Sequence, residues 1–454
     1  MTTSTPTKHF PRHDSTLPFW RTQLHEIDTH RTTSELPAEA DVVIVGSGYA
    51  GTSTAYHLLD NNDAPPSIVM LEAREACSGA TGRNGGHLKP NTYSKMPHMV
   101  KLYGPKLAGE LATFEINHVW AIKELIEKEG IDCDLILTRS QDVFLDQAHA
   151  DKTKAAFDEI LKAGWTFPDI KHGQFVSGKY AEQLTGIKGA KSTYSFTAGH
   201  VWPYKLITQL LTILVSKGLN LQTNTPVESI SDSPDSSGFW TVSTPRGSIK
   251  AKKIVFATNG YTSALLPQYS GKIVPVRGIC SRIVVPEGKK GPHLPYSYTI
   301  QHHPGSYDYL IPRPDGSIVV GGARTLYWND QKNWYNVSDD TKLIEPAKNY
   351  FDGYMQRTFA GWEDSGAHTD KVWTGILGYT SDKAPHVGSV PDKPGQYIVA
   401  GFNGHGMPLV YLSAKGVAQM LRGKAFEETG VPSFFKTSKE RLESDRDEIR
   451  HPSG

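Results

Sequence analysis

Two unbroken apolar tetrads, Val42-Val43-Ile44-Val45 and Ile68-Val69-Met70-Leu71, stand out near the start of the chain and have the form of strands buried on both faces. Between them, Ala50 to Leu59 predicts a helix whose small residues allow close packing on the first strand. Residues 95 to 130 keep helical spacing through Ala108, Leu111, Phe114, Ile116, Val119, Ile122, Leu125 and Ile126, with charge on the other face. A strand over Leu135 to Phe144, a helix over Ala150 to Gly164 and an amphipathic helix over Val201 to Gly218 follow. Short strands are predicted over Leu219–Thr223, Thr225–Ile230, Trp240–Thr244 and Ser248–Ala251, then a buried one from Lys253 that ends in small residues by Tyr261. From Ile273 the chain turns β-rich, with strands over 273–277, 279–285, 307–312 and 318–320. Residues 341 to 363 are helical by period. Near the end Val372 to Asp382, and then Tyr397 to Met407 with its glycine turn, lead into an apolar helix over Pro408 to Leu421.

The first strand runs directly into Gly46-Ser47-Gly48-Tyr49-Ala50-Gly51, a Gly-x-Gly-x-x-Gly turn. In such a turn the first glycine makes the bend, the second lets a pyrophosphate approach bare backbone, and the third brings helix against strand. The helix start adds N–H groups and partial positive charge for phosphate. The second tetrad ends at Glu72, about 21 residues beyond Gly51, where a carboxylate accepts from ribose hydroxyls. The spacing therefore predicts a dinucleotide site.

Composition narrows the rest. The chain has 454 residues, enough for two domains or a nested pair. Lys plus Arg total 48 against 47 Asp plus Glu, so no global field recruits nucleic acid or an anionic membrane. Cys77, Cys133 and Cys280 form no Cys-x-x-Cys pair and fit reduced thiols, and no residue grouping marks a metal site. Met1 to Ser15 lacks an apolar core for a secretory signal, no run reaches ~18 apolar residues, and the last four residues are not a peroxisomal address. A cytoplasmic protein with no membrane span is expected. Residues 1 to 37 read either as an arm that docks by Trp20 or as a disordered tail.

Residues 73 to 87 hold four glycines among small polar residues in their second half, a segment able to lie flat against a large planar group and its phosphates. Arg83 and His87 within it are placed for ligand contact. Tyr309, Trp328, Trp334 and Tyr335 could wall a pocket for a small organic substrate. Arg277, Arg282, Arg313 and Arg324 lie in the β-rich region, where a planar guanidinium could hold a substrate carboxylate. Arg324, directly after Gly321-Gly322-Ala323, is the first choice.

Taken in order, Asp41 to Gly51, Leu71 to Arg74, Ser78 to Gly86, Ala257 to Tyr261, Asp315-Gly316 with Gly321-Gly322, Trp373 to Gly375 with Thr380 to Asp382, and Gly401 to Gly406 form a recognisable set. In these segments the chain resembles the FAD-dependent amine and amino-acid oxidoreductases of the D-amino-acid oxidase, glycine oxidase and sarcosine oxidase superfamily. It is similar especially to the branch that includes γ-glutamylputrescine oxidase, through Gly82-Arg83-Asn84-Gly85-Gly86. The resemblance implies an α/β fold: a discontinuous, Rossmann-like FAD-binding domain of the glutathione-reductase type, with an α+β substrate domain built on an antiparallel sheet. It divides the chain into an arm (1–37), an FAD-binding domain (38–94, 195–270 and 366–430), a substrate domain (95–194 and 271–365) and a tail (431–454).

The resemblance further implies that Gly46, Gly48, Tyr49, Ala50 and Gly51 hold the pyrophosphate, and Glu72, Ala73 and Arg74 the adenosine, with Val227 near the adenine. Gly79, Ala80, Thr81, Arg83, Asn84, Gly85, Gly86 and His87 would run along the ribityl chain and ring. Ala257, Thr258, Asn259 and Gly375 complete the wall, and Gly404, His405, Gly406 and Met407 face the flavin pyrimidine edge. Sarcosine oxidases bond their flavin through a cysteine; the matching stretch here, Gly375-Ile376-Leu377-Gly378, has none, so non-covalent FAD is expected ahead of a link through His87. The implied reaction is hydride transfer from an amine to flavin N5, hydrolysis of the imine, and reduction of O2 to H2O2. His405, Arg324 and Tyr309 are the candidate catalytic residues, and His405 with the adjoining helix start would stabilise negative charge on the reduced ring. A dehydrogenase that passes electrons to a quinone or electron-transfer protein, and a flavin-binding protein without turnover, are the alternatives. Substrate identity and oligomeric state stay open.

Overall fold

The computed structural model describes residues 9–164 and 170–451; expectations resting on residues 1–8 and 452–454 lie outside the described residues. Two sheets organise the chain. The first has eight strands, with the path His386–Ser389, Gln396–Ala400, Gly247–Phe256, Glu39–Val45, Ile68–Leu71, Asn220–Gln222. Its centre is parallel: Val43 lies opposite Ile254 on one side and Val69 on the other. These central strands are buried on both faces, which is why they read as continuous apolar runs. Trp240–Thr244 adds an antiparallel ribbon to Gly247–Phe256.

The second sheet has nine strands and is mostly antiparallel, with one parallel pairing, Ser297–His303 on Ile136–Phe144. Its longest members are Ile273–Val284 and His368–Thr380, paired along their length. The stretch expected as two strands, 273–277 and 279–285, is therefore one, because a neighbouring strand supplies pairing straight through Gly278. The strands expected over 248–251 and from 253 likewise merge into Gly247–Phe256. Ser192–His200 belongs to this second sheet, so the boundary expected between 194 and 195 falls inside a strand.

The helices expected around 95–130, 150–164, 201–218 and 408–421 are Met96–Glu129, Gln147–Lys162, Pro203–Ser216 and Val410–Leu421. The first of these is kinked where Gly104 takes φ +79° before Pro105. The helix expected over 341–363 is not formed. Only Glu345–Ala347 and Tyr354–Thr358 are helical, because Gly353 at φ +63° and Gly361 at φ +80° break the run. The apolar period is still used: Ile344, Ala347, Phe351, Tyr354, Met355 and Phe359 are all buried in the core on one face of the second sheet. Among the described residues no helix is long and apolar enough to cross a membrane.

From residue 9 onward the N-terminal arm packs on the rest of the chain through Trp20. Trp20 is fully buried, donates from Nε1 to Asn84 O, and accepts from Trp202 Nε1 at 2.7 Å. Beside it Arg21 pairs with Asp28 at 2.8 Å.

Candidate active site

Residues from both sheets wall a cavity of about 470 Å³. It begins at the carboxyl end of Glu39–Val45, where Gly46 turns with φ +105° and a Cβ would lie 2.8 Å from Ala257 O. At Gly48 the nearest obstacle to a Cβ is Thr81 Oγ1 at 3.1 Å, so the backbone faces open cavity. The N–H groups of Gly48 and Ala50 have no acceptor among the described residues, while Tyr49 N–H donates to Thr81 Oγ1 at 2.9 Å. Two unpartnered donors at a helix start form an anion site. Gly51 is different. A Cβ there would lie 1.9 Å from Gly46 O, so this glycine serves helix-on-turn packing and does not line the cavity.

Glu72 ends its strand with both oxygens oriented: Oε2 accepts from Ser47 N–H at 2.9 Å and Ser47 Oγ at 2.8 Å, and Oε1 accepts from Arg74 N–H at 3.0 Å. Ala73 and Val227 share this end of the cavity with Phe10 and Pro11 of the arm. Arg74 and Arg83 also line the cavity, but their guanidinium groups serve the protein. Arg74 Nη1 donates to Asp340 at 3.0 Å, and Arg83 donates to Ser78 O and Thr374 O, both at 2.8 Å. Asp340 is fully buried, so the two arginines and this carboxylate form a buried ion cluster beneath the glycine-rich segment. Burial, partly offset by Asp340, brings the Arg83 pKa down to about 10.

Within that segment Gly79, Ala80, Thr81, Asn84 and Gly85 line the cavity. Gly86 does not: at φ +75° its missing Cβ makes room for Val201 O at 2.8 Å and Ile311 Cδ1 at 2.9 Å. His87 lines the cavity with both ring nitrogens buried and unpartnered. Burial, and then Lys89, hold its pKa well below the ordinary value, so the ring is neutral. Tyr309 meets His87 edge-on at 5.4 Å, and its hydroxyl lies 3.2 Å from Cys280 Sγ. Ala257, Thr258, Asn259 and Gly375 also line the cavity, with Asn259 Oδ1 accepting from Gly401 N–H at 3.1 Å.

Gly404, His405, Gly406 and Met407 line the cavity in the turn before the helix Val410–Leu421. That helix begins only at Val410, and His405 N–H donates to Phe402 O at 2.8 Å, so the expected N–H array is displaced. The N–H groups of Gly404, Gly406 and Met407 have no acceptor among the described residues. The His405 ring is held by Glu115, whose Oε2 lies 2.8 Å from Nε2. Glu115 is buried on the long helix. Burial pushes its pKa up, but His405 and the N–H of Asn91 outweigh that and hold it below the usual carboxylate range.

At the far end stands Arg324. Arg277 donates to backbone carbonyls of Asn333 and Asp339, Arg282 pairs with Asp315 and Asp370, and Arg313 pairs with Asp134. Arg324 lines the cavity with no carboxylate within 4.0 Å among the described residues. Trp328, stacked at 3.7 Å on Trp334, supports the guanidinium from 4.3 Å, and Tyr379 OH accepts from Nη2. Of the aromatics near Arg324, Tyr307, Tyr309 and Tyr379 line the cavity, while Trp334 lies in the core and Trp328 behind the guanidinium. The pattern of the chain did not reveal Lys89, Lys95 or Tyr307 as part of this cavity, nor Glu115 behind His405. Glu115 alone had a signal, since it falls four residues from Leu111 and from Val119 on an otherwise apolar helix face.

FAD fits this lining. Gly48 leaves bare backbone for a pyrophosphate, Glu72 is poised for ribose hydroxyls, and His87 offers two orphaned ring nitrogens along a cavity that reaches the unpartnered N–H groups at 404–407. Gamma-glutamylputrescine oxidoreductase of Escherichia coli (strain K12) is 26% identical to this chain over 393 residues, 85% of this chain and 84% of that one. Glycine oxidase of Bacillus licheniformis is 24% identical, covering 88% and 98%. The crystal structure of glycine oxidase from Geobacillus kaustophilus superimposes with a TM-score of 0.68 at 19% identity, over 89% of this chain and 99% of the other. The model of the DAO family, FAD dependent oxidoreductase, matches residues 41–420. The chain therefore belongs to the DAO family of FAD dependent oxidoreductases.

Proposed function

We propose that the protein oxidises the C–N bond of a small amine that carries a carboxylate, giving an imine that water hydrolyses, with O2 reduced to H2O2. The observation that carries this reading is Arg324: a guanidinium without an acidic partner, clamped between Trp328 and Tyr379 at the end of the cavity away from Gly48. A rigid planar fork in that position suits a carboxylate. The relatives named for γ-glutamylputrescine and for glycine support an amine.

When bound, FAD supplies the two-electron acceptance, taking hydride from the carbon next to nitrogen and passing the electrons to O2. The residues of the chain do the rest. Arg324 anchors the carboxylate and Tyr307 and Tyr309 wall the amine, fixing which C–H faces inward. The positive field at this end disfavours a bound ammonium, so the amine loses its proton and presents a lone pair. Gly404, Gly406 and Met407 offer N–H groups where negative charge would collect, and Glu115 holds His405 beside them.

An anaerobic panel of amino acids, N-methyl amino acids and polyamines tests this. Carboxylate-bearing amines should bleach the flavin absorbance, and admission of air should restore it with one peroxide per amine oxidised. A panel in which no amine bleaches the flavin refutes the reading. Bleaching that air cannot reverse refutes the oxidase half-reaction.

A further inference from the structure

We propose that the substrate end of the cavity holds two anionic groups at once, one on Arg324 and one on Lys95, so that the preferred substrate is an amine carrying two acid groups. This rests on the amine-oxidase reading above. The argument is one of uncompensated charge. Arg324, Lys89 and Lys95 all line the cavity. Lys89 is answered by Asp142 at 2.6 Å, whereas Arg324 and Lys95 have no carboxylate within 4.0 Å among the described residues. The nearby acids are engaged. Glu115 accepts from His405 and from Asn91 N–H, and Asp308 accepts from Tyr350 at 2.6 Å, His302 at 2.8 Å, Tyr354 at 3.1 Å and Ala323 N–H at 2.8 Å.

A fourth cation adds to the excess. Lys383 Nζ lies 5.7 Å from the centre of the Tyr379 ring, and the Arg324 guanidinium carbon lies 6.0 Å from the same centre. The effect is visible on the groups between them. Arg324 foremost, then Lys95, Lys89 and Lys383, hold the Tyr307 phenol below its usual value against the opposing effect of burial. Burial, then Arg324 and Lys95, bring Lys383 down to about 8. The single carboxylate of a simple amino acid answers Arg324 and leaves Lys95, which is exposed, answered only by water and, beyond ion-pair distance, by Glu115. Lys95 also occupies the N-cap of Met96–Glu129, where the helix dipole disfavours a cation, so the helix itself gives no reason for a lysine there. A second carboxylate, or another acid group of like charge, removes the mismatch.

Titration of the flavin spectrum of the holoenzyme with succinate and with butyrate, two four-carbon acids that differ by one carboxylate, tests the proposal without turnover. Succinate should bind about tenfold tighter than butyrate, and its affinity should fall more steeply with added salt. In Lys95→Met the ratio between the two acids should drop to near one. Equal binding of the two acids by the unaltered protein, no spectral response to either, or a ratio unchanged in Lys95→Met would each overturn the second subsite. The salt dependence of the unaltered protein decides the matter even where the variant fails to fold. The amine panel reports separately: vigorous bleaching by monocarboxylic amines with no dianion preference sinks this inference and leaves the oxidase reading standing, whereas no bleaching by any amine sinks the reading itself.

Discussion

Asp308 sets the position of Arg324 without touching the cavity. Its Oδ1 accepts from Ala323 N–H at 2.8 Å, and Ala323 takes φ +57°, a left-handed backbone that a non-glycine residue holds only when its surroundings enforce it. Gly322 is tied to the same carboxylate, since a Cβ there would lie 2.2 Å from Asp308 Oδ1. Asp308→Ala removes the acceptor that holds this turn and strands two buried hydroxyls and an imidazole, so it should cost about 2 kcal/mol of stability and raise KM for the amine about tenfold, with kcat changed much less. Asp308→Asn keeps an oxygen for Ala323 N–H and should recover most of the KM; a KM that is normal in Asp308→Ala removes the positioning role. Little of this was legible in the sequence, because the partners of Asp308 lie 6 to 46 residues away and no local spacing links them. Glycines that belong to a local motif were legible. Gly46 and Gly48 sit where the Gly-x-Gly-x-x-Gly order places them, and Arg324 is the one of four candidate arginines left facing the cavity without an acid or carbonyl partner. Arg83 could not be separated from a ligand contact by sequence, since its partners Ser15, Thr16 and Thr374 belong to the arm and to a distant strand.

Elements with strong period were legible, and their interruptions were less so. The parallel strands and the long helix follow from apolar runs and spacing that local chain alone determines. Residues 341–363 have equally good spacing, yet two left-handed glycines cut the helix while the sheet still takes up its apolar side chains. Tertiary packing there uses the pattern without the backbone that usually carries it. The long helix has a second duty beyond packing: Glu115 ties it to the glycine turn at 404–407 and to the segment after His87. Glu115→Ala would leave two half-buried donors unpaired and should lower stability by about 2 kcal/mol in urea unfolding, with Glu115→Gln losing less. The pH sign follows from its depressed folded pKa: the contribution is complete above the ordinary glutamate value and disappears as pH falls below it. The gap between the unaltered protein and Glu115→Gln should therefore narrow in acid. A gap that is constant down to pH ~3 would mean the ion pair adds nothing.

At the scale of the molecule, the cavity depends on distant segments staying together, and buried neutral histidines set the pH range over which they do. His57 lies in the first helix, His118 in the long helix, His200 in the second sheet and His386 at the edge of the first. Burial, chiefly, brings His118 and His200 down to about 4, and His57 and His386 to about 3. His118 is locked in one tautomer, because Leu412 N–H donates to Nε2 at 3.0 Å while Nδ1 faces Phe114 O at 2.7 Å. Protonating it would break the bond that joins the long helix to Val410–Leu421. In each of the four the folded pKa lies below the free value of about 6.5, so the unfolded chain binds protons more readily. Their contribution is complete above that value and is lost as pH falls through the folded ones. Depressed carboxylates such as Glu115 and Asp382 act only below the usual carboxylate range, so the interval from pH ~6.5 to ~5 belongs to the histidines. Unfolding midpoints in urea should be level from pH ~8 to ~7 and decline steadily below pH ~7, each histidine adding up to ~1.4 kcal/mol per pH unit. His118→Gln should make that decline shallower by up to one such increment. Midpoints that stay level from pH ~7 to ~5 would mean that these histidines already carry protons in the folded protein, contrary to their burial.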